Sequence, residues 1–306
     1  MTVKLYTAES LSNEEYRALP QLSGTELSIV YNQCPAALLK ERKETKALIN
    51  GIDIHACILE PKRFEEEYFK GFDYSCKEFY SSESAVKAKL KEEGVPKYST
   101  KKGDELFQML LEVEPTAIIK PMQDIKDQIE AGERKIISHE SWMMFCEMRE
   151  AVLRNPDARN IIENAVVEMS FVSDDLEYYV KSRPDIITTF GSLDDYKTAG
   201  SAKPSDFFRS AYNYGYLLKE ACKHDMFEKH YGEKPARHTF IVQEKEFPYI
   251  SAVYELDEDA LNVGRKQYLS AMHKALDARE KGVYDGYQTQ VFEVPGFAKE
   301  LFEVEQ

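Results

Sequence analysis

The stretch Arg183-Pro184-Asp185-Ile186-Ile187-Thr188-Thr189-Phe190-Gly191-Ser192-Leu193-Asp194-Asp195-Tyr196-Lys197-Thr198 decides how this chain is read. Two short apolar runs, 185–190 and 193–197, flank the Gly191 turn and read as adjacent strands. Side chains alternate along a strand, so Asp195 and Lys197 point to one face and Tyr196 to the other. Pairing of the two runs as a hairpin brings Asp185 beside Asp195. Two carboxylates and an ammonium on one patch suit metal-dependent phosphodiester hydrolysis. The acids hold a hard cation such as Mg²⁺, and the lysine orients water and offsets charge on the phosphorus oxygens. The Asp-x-Lys or Glu-x-Lys pattern alone carries little, because Glu41-Arg42-Lys43, Glu44-Thr45-Lys46, Asp124-Ile125-Lys126 and Glu133-Arg134-Lys135 match it too. The copy at 195–197 differs in lying on an apolar strand downstream of Pro184-Asp185. A solvated hairpin with an incidental ion pair is the other reading of these residues by themselves.

Outward from that stretch, the chain before Val166 reads as helical. Ser23, with Glu26 three residues later, has the capping-box pattern of a helix start. Pro35 opens a second helix through Ala36, Ala37, Leu38 and Leu39. Residues 47–59 form a third, with Leu48, Ile52, His55 and Leu59 at helical spacing on one side. Residues 76–135 are charged and irregular, with helical stretches near 85–92 and 105–112, and 140–153 is strongly helical. At Val166 the period changes, and 166–172 with 176–182 read as a hairpin about Asp174-Asp175. Beyond Thr198, 205–231 reads as one long helix, 239–244 and 249–254 as strands, and 259–280 as a closing helix. The order predicts a mixed α/β fold with one central sheet flanked by helices. It is expected to be a single domain, mainly helical over 1–155 and sheet-bearing over 156–306.

The 306 residues carry 54 acidic and 40 basic side chains, a formal charge of −14, and 43% are hydrophobic. That is ample for a packed core and excludes a disordered tail protein. No run approaches the ~18 apolar residues of a membrane span, and no basic region followed by an apolar one opens the chain, so a cytoplasmic, unexported protein without membrane contact is expected. Cys34, Cys57, Cys76, Cys146 and Cys222 are odd in number and never spaced as Cys-x-x-Cys. A disulfide framework, a structural zinc site and a four-cysteine iron–sulfur cluster are all disfavoured, and reduced thiols fit best. The acidic balance argues against passive nucleic-acid binding while leaving room for a locally basic groove.

Pro184-Asp185 followed by Asp195-Tyr196-Lys197 resembles the PD-(D/E)xK nuclease signature, and the flanking residues resemble its exonuclease VIII (RecE-like) branch. Gly51-Ile52-Asp53-Ile54-His55-Ala56-Cys57-Ile58-Leu59-Glu60-Pro61 is similar to that branch's Gly-x-x-x-His in an apolar helix followed by Leu-Glu-Pro. Asp195-Tyr196-Lys197-Thr198 resembles its Asp-x-Lys-Thr, and Leu22-Ser23-Gly24-Thr25 its Leu-Ser-x-Ser/Thr helix start. Ile241-Val242-Gln243-Glu244-Lys245 with Pro248-Tyr249 resembles its Val-x-Glu-Lys-x-x-Pro-Tyr, and Gly282-Val283-Tyr284-Asp285-Gly286-Tyr287 its Gly-x-Trp-x-x-Tyr. The branch's Gln-x-x-x-Tyr helix motif is altered, with Gly215 in place of the glutamine and Lys219 in place of the tyrosine. Tyr212, Tyr214 and Tyr216 either compensate by stacking on bases or belong to the core.

The resemblance implies a restriction-endonuclease-like core and a Mg²⁺- or Mn²⁺-dependent exodeoxyribonuclease. Such an enzyme degrades one strand of linear double-stranded DNA from its 5′ end and leaves 3′ single-stranded tails for recombination. In this reading Asp185, Asp195 and the Tyr196 backbone carbonyl bind one metal, His55 completes or supports a second metal position, and Lys197 holds the attacking water. Without its motif context His55 reads as a core histidine. Glu168 is either a further metal or water ligand or a solvent-facing strand glutamate. Ser23 and Thr25 open a helix whose N–H groups could bind a DNA phosphate, although a plain N-cap explains Ser23 as well. Glu244 with Lys245 reads as a structural ion pair, and His139, His224, His230, His238 and His273 read as structural or surface residues. The implied partners are DNA ends and a single-strand annealing protein, in a phage or prophage setting within a bacterial host cytoplasm. A homotrimer or homotetramer is expected, its channel lined by Lys40, Arg42, Lys43, Lys46, Lys203 and Arg209. The rival readings are a non-catalytic DNA-binding or protein-interaction module on a nuclease fold, and a structure-specific endonuclease.

Overall fold

The computed structural model describes residues 3–41, 43, 45–75 and 78–291; Arg42 and Cys76 lie outside them. In chain order, β1 (Val3–Tyr6) precedes α1 (Asn13–Ala18), and β2 (Leu22–Ser23) runs directly into α2 (Gly24–Asn32). Ser23 closes the expected capping box: its hydroxyl accepts from the Glu26 N–H at 3.3 Å, and the Glu26 carboxylate accepts from the Ser23 N–H at 2.8 Å. Pro35–Leu39 forms a 3-10 turn rather than a full helix. The first half continues through α3 (Lys46–Leu59), α4 (Pro61–Glu67), β3 (Tyr68–Lys70), α5 (Glu83–Glu92), α6 (Gly103–Val113), α7 (Lys120–Ala131), β4 (Lys135–Ile137), α8 (His139–Leu153) and α9 (Pro156–Glu163). The second half holds β5 (Ala165–Val167), β6 (Ser170–Ser173), β7 (Val180–Ser182), β8 (Ile186–Thr188), β9 (Leu193–Ala199), α10 (Pro204–Asn213), α11 (Tyr216–Tyr231), β10 (His238–Glu244), β11 (Ser251–Glu255) and α12 (Glu258–Lys281).

The fold is mixed α/β, as expected, but it is not built on one sheet. The main sheet has five strands in the order β11-β10-β9-β8-β5, a second has four in the order β1-β6-β7-β2, and β3 pairs with β4 alone. The expected hairpin strand at 166–172 is two strands in different sheets, because Glu168 adopts φ +58 and turns the chain out of the first sheet into the second. Of the expected hairpin over 166–182, the part that forms is β6 with β7, with Phe171 opposite Ser182 and Val172 opposite Lys181. The chain returns to the main sheet through Arg183-Pro184-Asp185. There β8 and β9 pair antiparallel about the Gly191 turn, with Ile186 opposite Asp194. β9 and β10 are parallel, which requires the helical crossover supplied by α10 and α11.

The expected single helix over 205–231 is also two. Gly215 adopts φ +68 between them, and an added Cβ there would lie 2.7 Å from Ser28 Oγ on α2. A residue with a side chain is both strained and obstructed at this point. The break re-aims α11, so that Leu218, Ala221 and Cys222 join the core shared with α2, α12 and the second sheet. On the main sheet, Tyr196, Ile186 and Ile241 face a second core with α3, α8 and α9. Phe240 and Val242, which neighbour Asp195 and Lys197 in register, lie on the other face beneath α10. The apolar stripe read on α3 is not its core face. Leu48 and Ile52 are 53% and 43% exposed, whereas Ile54, Cys57 and Ile58 are buried. Among the described residues no helix is long and apolar enough to cross a membrane.

The α11–α12 seam is close enough that a Cβ on Gly264 would run into the Leu217 carbonyl. Gly264→Ala is therefore expected to destabilise by about 1–3 kcal/mol through overpacking, read from urea unfolding. Gly51→Ala, on α3 with nothing within 4 Å of the added methyl, should be neutral or stabilise by up to about 1 kcal/mol. Equal effects at the two positions would contradict this packing.

Candidate active site

The end of the main sheet nearest α2 and α11 borders a cleft of about 780 Å³. Asp185, Asp195 and Lys197 line it, as do Ser23, Gly24 and Thr25 at the start of α2. Asp185 sits one residue before β8, opposite Asp195 by continuation of the strand register. Its Oδ2 accepts from the Tyr196 N–H at 3.0 Å and lies 3.8 Å from both Lys197 Nζ and His55 Nδ1. His55 arrives from α3, on the Tyr196 side of the sheet, with its ring edge-on to the Tyr196 ring at 5.0 Å. The Tyr196 hydroxyl donates to Gln243 Oε1 at 2.6 Å, which fixes the ring against which His55 rests.

Asp195 is 1% exposed and lies between two ammonium groups. Lys197 Nζ contacts its Oδ2 and Lys223 Nζ its Oδ1. Lys223 is backed by Glu220 at 2.8 Å, and Glu220 Oε2 meets His238 Nε2 at 3.1 Å. His238 stacks on His224, with their Nδ1 atoms 3.4 Å apart. The neighbouring Asp194 points the opposite way and is used up by the Ser192 and Thr239 hydroxyls. The alternation of β9 therefore separates a structural aspartate from a site aspartate.

Burial and charge act against each other throughout this cluster. Burial lowers Lys197 to about 8 despite the pull of Asp185. Burial would raise Asp185, but Lys197 and His55 outweigh it and hold the carboxyl below its ordinary value. Burial alone would likewise raise Glu220, yet Lys223 and His238 bring it down to about 2. His55 is lowered chiefly by burial, partly offset by Asp185.

The remaining sequence candidates take distinct places. Glu168 is not on a strand: it occupies the turn between the two sheets, with Oε2 held by Arg183 Nη1 at 3.0 Å. Ser23 spends its hydroxyl on the Glu26 cap, donating to Oε2 at 2.7 Å, which leaves Thr25 as the open hydroxyl of that turn. Gly215 starts α11 and does not line the cleft. The pair four residues apart that does so is Lys219 and Lys223. Tyr212 and Tyr214 are exposed rather than core, and the Tyr216 ring lies 5.6 Å from Lys197 Nζ. Sequence reasoning missed Glu220 and Lys223, named Lys219 only as the replacement of a motif tyrosine, and read His238 as structural or surface. Its available signal was Lys219, Glu220 and Lys223 set among Leu217, Leu218, Ala221 and Cys222, charges in an apolar run that must find partners inside the protein.

Residues 31–288 match the family described as PDDEXK-like domain of unknown function (DUF3799). The chain belongs to that family. Its fold is similar to a crystal structure of a "putative exonuclease" from Eubacterium rectale, at 11% sequence identity and a TM-score of 0.53, covering 96% of this chain and 97% of that one. A comparison with curated proteins gives no significant match. Nucleases of the PD-(D/E)xK kind typically use divalent metals, so the Asp185, Asp195 and Lys197 cluster is the candidate to be tested for fit to such an ion.

The residues present fit such an ion. Asp195 Oδ2 is buried and has the Lys197 ammonium against it, so an ion there would share that oxygen with the lysine, and Asp185 Oδ1 makes no hydrogen bond among the described residues. Both are hard oxygen donors on one cleft wall, with the borderline imidazole of His55 beside them.

The charge network sets an acid limit on stability. Glu220 has a folded pKa of about 2 against 4.5, so its contribution is complete above 4.5 and is lost as pH falls toward 2. His224, lowered to about 4 mainly by burial, favours folding while neutral, and that contribution fades as pH falls from 6.5 to 4. The urea midpoint should fall progressively below pH 6.5, and Glu220→Gln should flatten the part below 4.5. A Glu220→Gln profile parallel to the native one would remove Glu220 from this account.

Proposed function

We propose that the chain is a divalent-metal-dependent deoxyribonuclease that works as a 5′–3′ exonuclease on linear double-stranded DNA. The observation that carries this reading is the convergence of Asp185, Asp195 and Lys197 on one cleft, in a chain of the PDDEXK-like family. Asp185, Asp195 and the Tyr196 carbonyl are the groups to hold Mg²⁺ or Mn²⁺, with His55, 3.8 Å from Asp185 Oδ2, completing or supporting a second metal position. When bound, the ion neutralises charge that develops on the oxygens of the scissile phosphate. Lys197, at the mouth of the same group of carboxylates, orients the attacking water and offsets charge on the phosphate oxygens. Thr25 and the N–H groups at the start of α2 face the cleft opposite, where they are placed to receive a DNA phosphate, with Lys219 against Gly24 adding a positive charge.

The same reading carries proposals about assembly and setting. A homotrimer or homotetramer would enclose duplex DNA in a channel, and Lys40, Lys43, Lys46, Lys203 and Arg209 are exposed as such a lining requires. Digestion leaving 3′ tails would feed a single-strand annealing protein in recombination, in a phage or prophage context within a bacterial cytoplasm.

End-labelled linear duplex and closed circular duplex, each with Mg²⁺ or EDTA, test the reading directly. Cleavage of the linear form alone, from the 5′ end and with metal only, is expected. Circles cut at equal rate indicate an endonuclease, and no cut at all indicates a binding module. Lys197→Ala should reduce the rate by about 10²–10³, with the protein still folded because Lys223 continues to face Asp195; an undiminished rate would displace Lys197 from the chemistry. His55→Ala should raise the Mg²⁺ concentration needed for half-maximal activity. Lost stability with an unchanged metal requirement would return His55 to the core.

A further inference from the structure

We propose that Tyr214 is a base-stacking residue, whose exposed ring takes the base of an unpaired nucleotide with its phosphate at Lys197 and Lys219. The inference rests on the nuclease reading above and deepens it by naming the form of DNA the site accepts, a single strand with its bases turned out. Asp195 is 1% exposed and lines a cleft of about 780 Å³. A double helix is far larger than such a space, so one strand has to leave its partner before a phosphate can reach the two aspartates. Enzymes that draw a nucleotide out of a duplex offset the lost base stacking with aromatic side chains of their own. A ring suited to that task lies one nucleotide from the phosphate site, offers a face to solvent and stands on fixed backbone.

Tyr214 meets all three conditions. The Tyr216 ring lies 5.6 Å from Lys197 Nζ and 5.9 Å from Lys219 Nζ, and both lysines line the cleft. Tyr214 is the next ring outward, with its centroid 5.9 Å from that of Tyr216. Tyr216 packs against Phe207 and Phe240 in the core beneath α10, so it supports the outer ring rather than receiving a base itself. Tyr214 has no such cover. It is 64% exposed, Tyr216 is its one ring contact among the described residues, and its hydroxyl makes no hydrogen bond there. Its backbone is nonetheless pinned. The Tyr214 N–H donates to the Ser210 carbonyl at 2.9 Å, its own carbonyl accepts from Ser28 Oγ at 3.4 Å, and Gly215 at φ +68 closes the turn against α2. A tyrosine held in this way has little freedom left to lose on binding.

The surroundings of the ring select its occupant. The ammonium groups at Tyr216 call for a polyanion. Paired bases present only their edges in the grooves of a duplex, and a ring cannot stack on an edge. An aromatic face beside phosphate-binding cations therefore suits an unpaired strand, and it does so for any sequence because every base has a π-face.

Fluorescence anisotropy in EDTA, where metal-dependent cutting is suppressed, provides the test. It compares a duplex carrying an unpaired 5′ oligothymidine arm with the same duplex whose arm is abasic. The native chain should bind the thymidine arm about 10-fold more tightly. Tyr214→Ala should remove most of that difference by weakening the thymidine arm alone, and Tyr214→Phe should keep it, since the ring stacks without its hydroxyl. If Tyr214→Ala does not fold, Tyr214→Leu, which keeps apolar bulk and loses the ring, carries the same expectation. Equal affinities for the two arms in the native chain overturn the inference, as does a ring-deleted variant that still separates them. Equal affinities together with Mg²⁺-dependent cleavage would remove the stacking residue and leave the nuclease reading standing. A preference for the thymidine arm that depends on the Tyr214 ring, with no cleavage of any DNA in Mg²⁺, would do the reverse.

Discussion

Asp195 has to be charged and buried at once, and much of the architecture around it answers that requirement. A carboxylate removed from water costs several kcal/mol unless opposite charge is fixed beside it. Here the charge is fixed from two directions, by Lys197 two residues along β9 and by Lys223 on α11. The second lysine needs its own anion, and Glu220 needs His238 in turn, so the neutralisation spreads to the first residue of β10. For that chain of contacts to close, β10 must lie next to β9 in its observed register, with His238 beside Leu193. The helix must also restart at Gly215, so that residues 219, 220 and 223 turn toward the sheet. Sheet order, helix break and site chemistry are therefore one constraint seen at three scales.

A second staple places the other aspartate. The chain crosses between the two sheets at Glu168 and crosses back at Arg183–Asp185, and a single guanidinium ties both crossings. Arg183 donates to Ser170 Oγ at 2.7 Å, to Glu168 Oε2 at 3.0 Å and to the Leu11 carbonyl at 3.1 Å, and it lies over the Tyr16 ring at 4.4 Å. With its donors engaged and Pro184 limiting the backbone that follows, Asp185 has little freedom in how it meets β9. Glu168 thus serves the site by anchoring the arginine that aims Asp185. Lys181, two residues before Arg183, is fixed by the carbonyls of Tyr16, Arg17 and Leu19 at the end of α1, so the same junction also carries a fixed cation at the cleft wall.

What could be read from the sequence was local in origin. The Asp185 to Lys197 hairpin, the Ser23–Glu26 cap and the helices at 46–59, 139–153 and 258–281 announce themselves through alternation, capping chemistry and helical period. The misread parts depend on partners far along the chain. Residues 166–172 carry one continuous strand-like pattern, and nothing local reveals that Glu168 turns between sheets until Arg183 is beside it. Apolar residues continue on both sides of Gly215, so the break shows only when Ser28 on α2 is found where a Cβ would go. Leu48 and Ile52 kept a helical spacing while facing the solvent and cleft side, since Ile54, Cys57 and Ile58 fill the core face instead. Lys219, Glu220 and Lys223 stand among apolar residues, which marks them as charges needing internal partners, but nothing local tells whether the partner is Asp195 or another residue.

That last ambiguity also resolves the tension between a formal charge of −14 and a polyanionic substrate. The cleft is lined by Arg17, Lys43, Lys181, Arg183, Lys197, Lys219 and Lys223, against Glu26, Asp185 and Asp195. Seven cations against three anions make it locally basic in a chain that is acidic overall. Low-dielectric walls concentrate such a field along the cleft axis, while the acidic exterior is screened within roughly 8–10 Å at physiological ionic strength. A phosphate backbone close to the surface therefore responds to the cleft rather than to the total. Acidic surroundings then sharpen recognition, since they disfavour adhesion of the same backbone anywhere else on the protein. The lysines that make Asp195 bearable inside the fold are thus part of the same positive field that would draw a nucleic acid toward it.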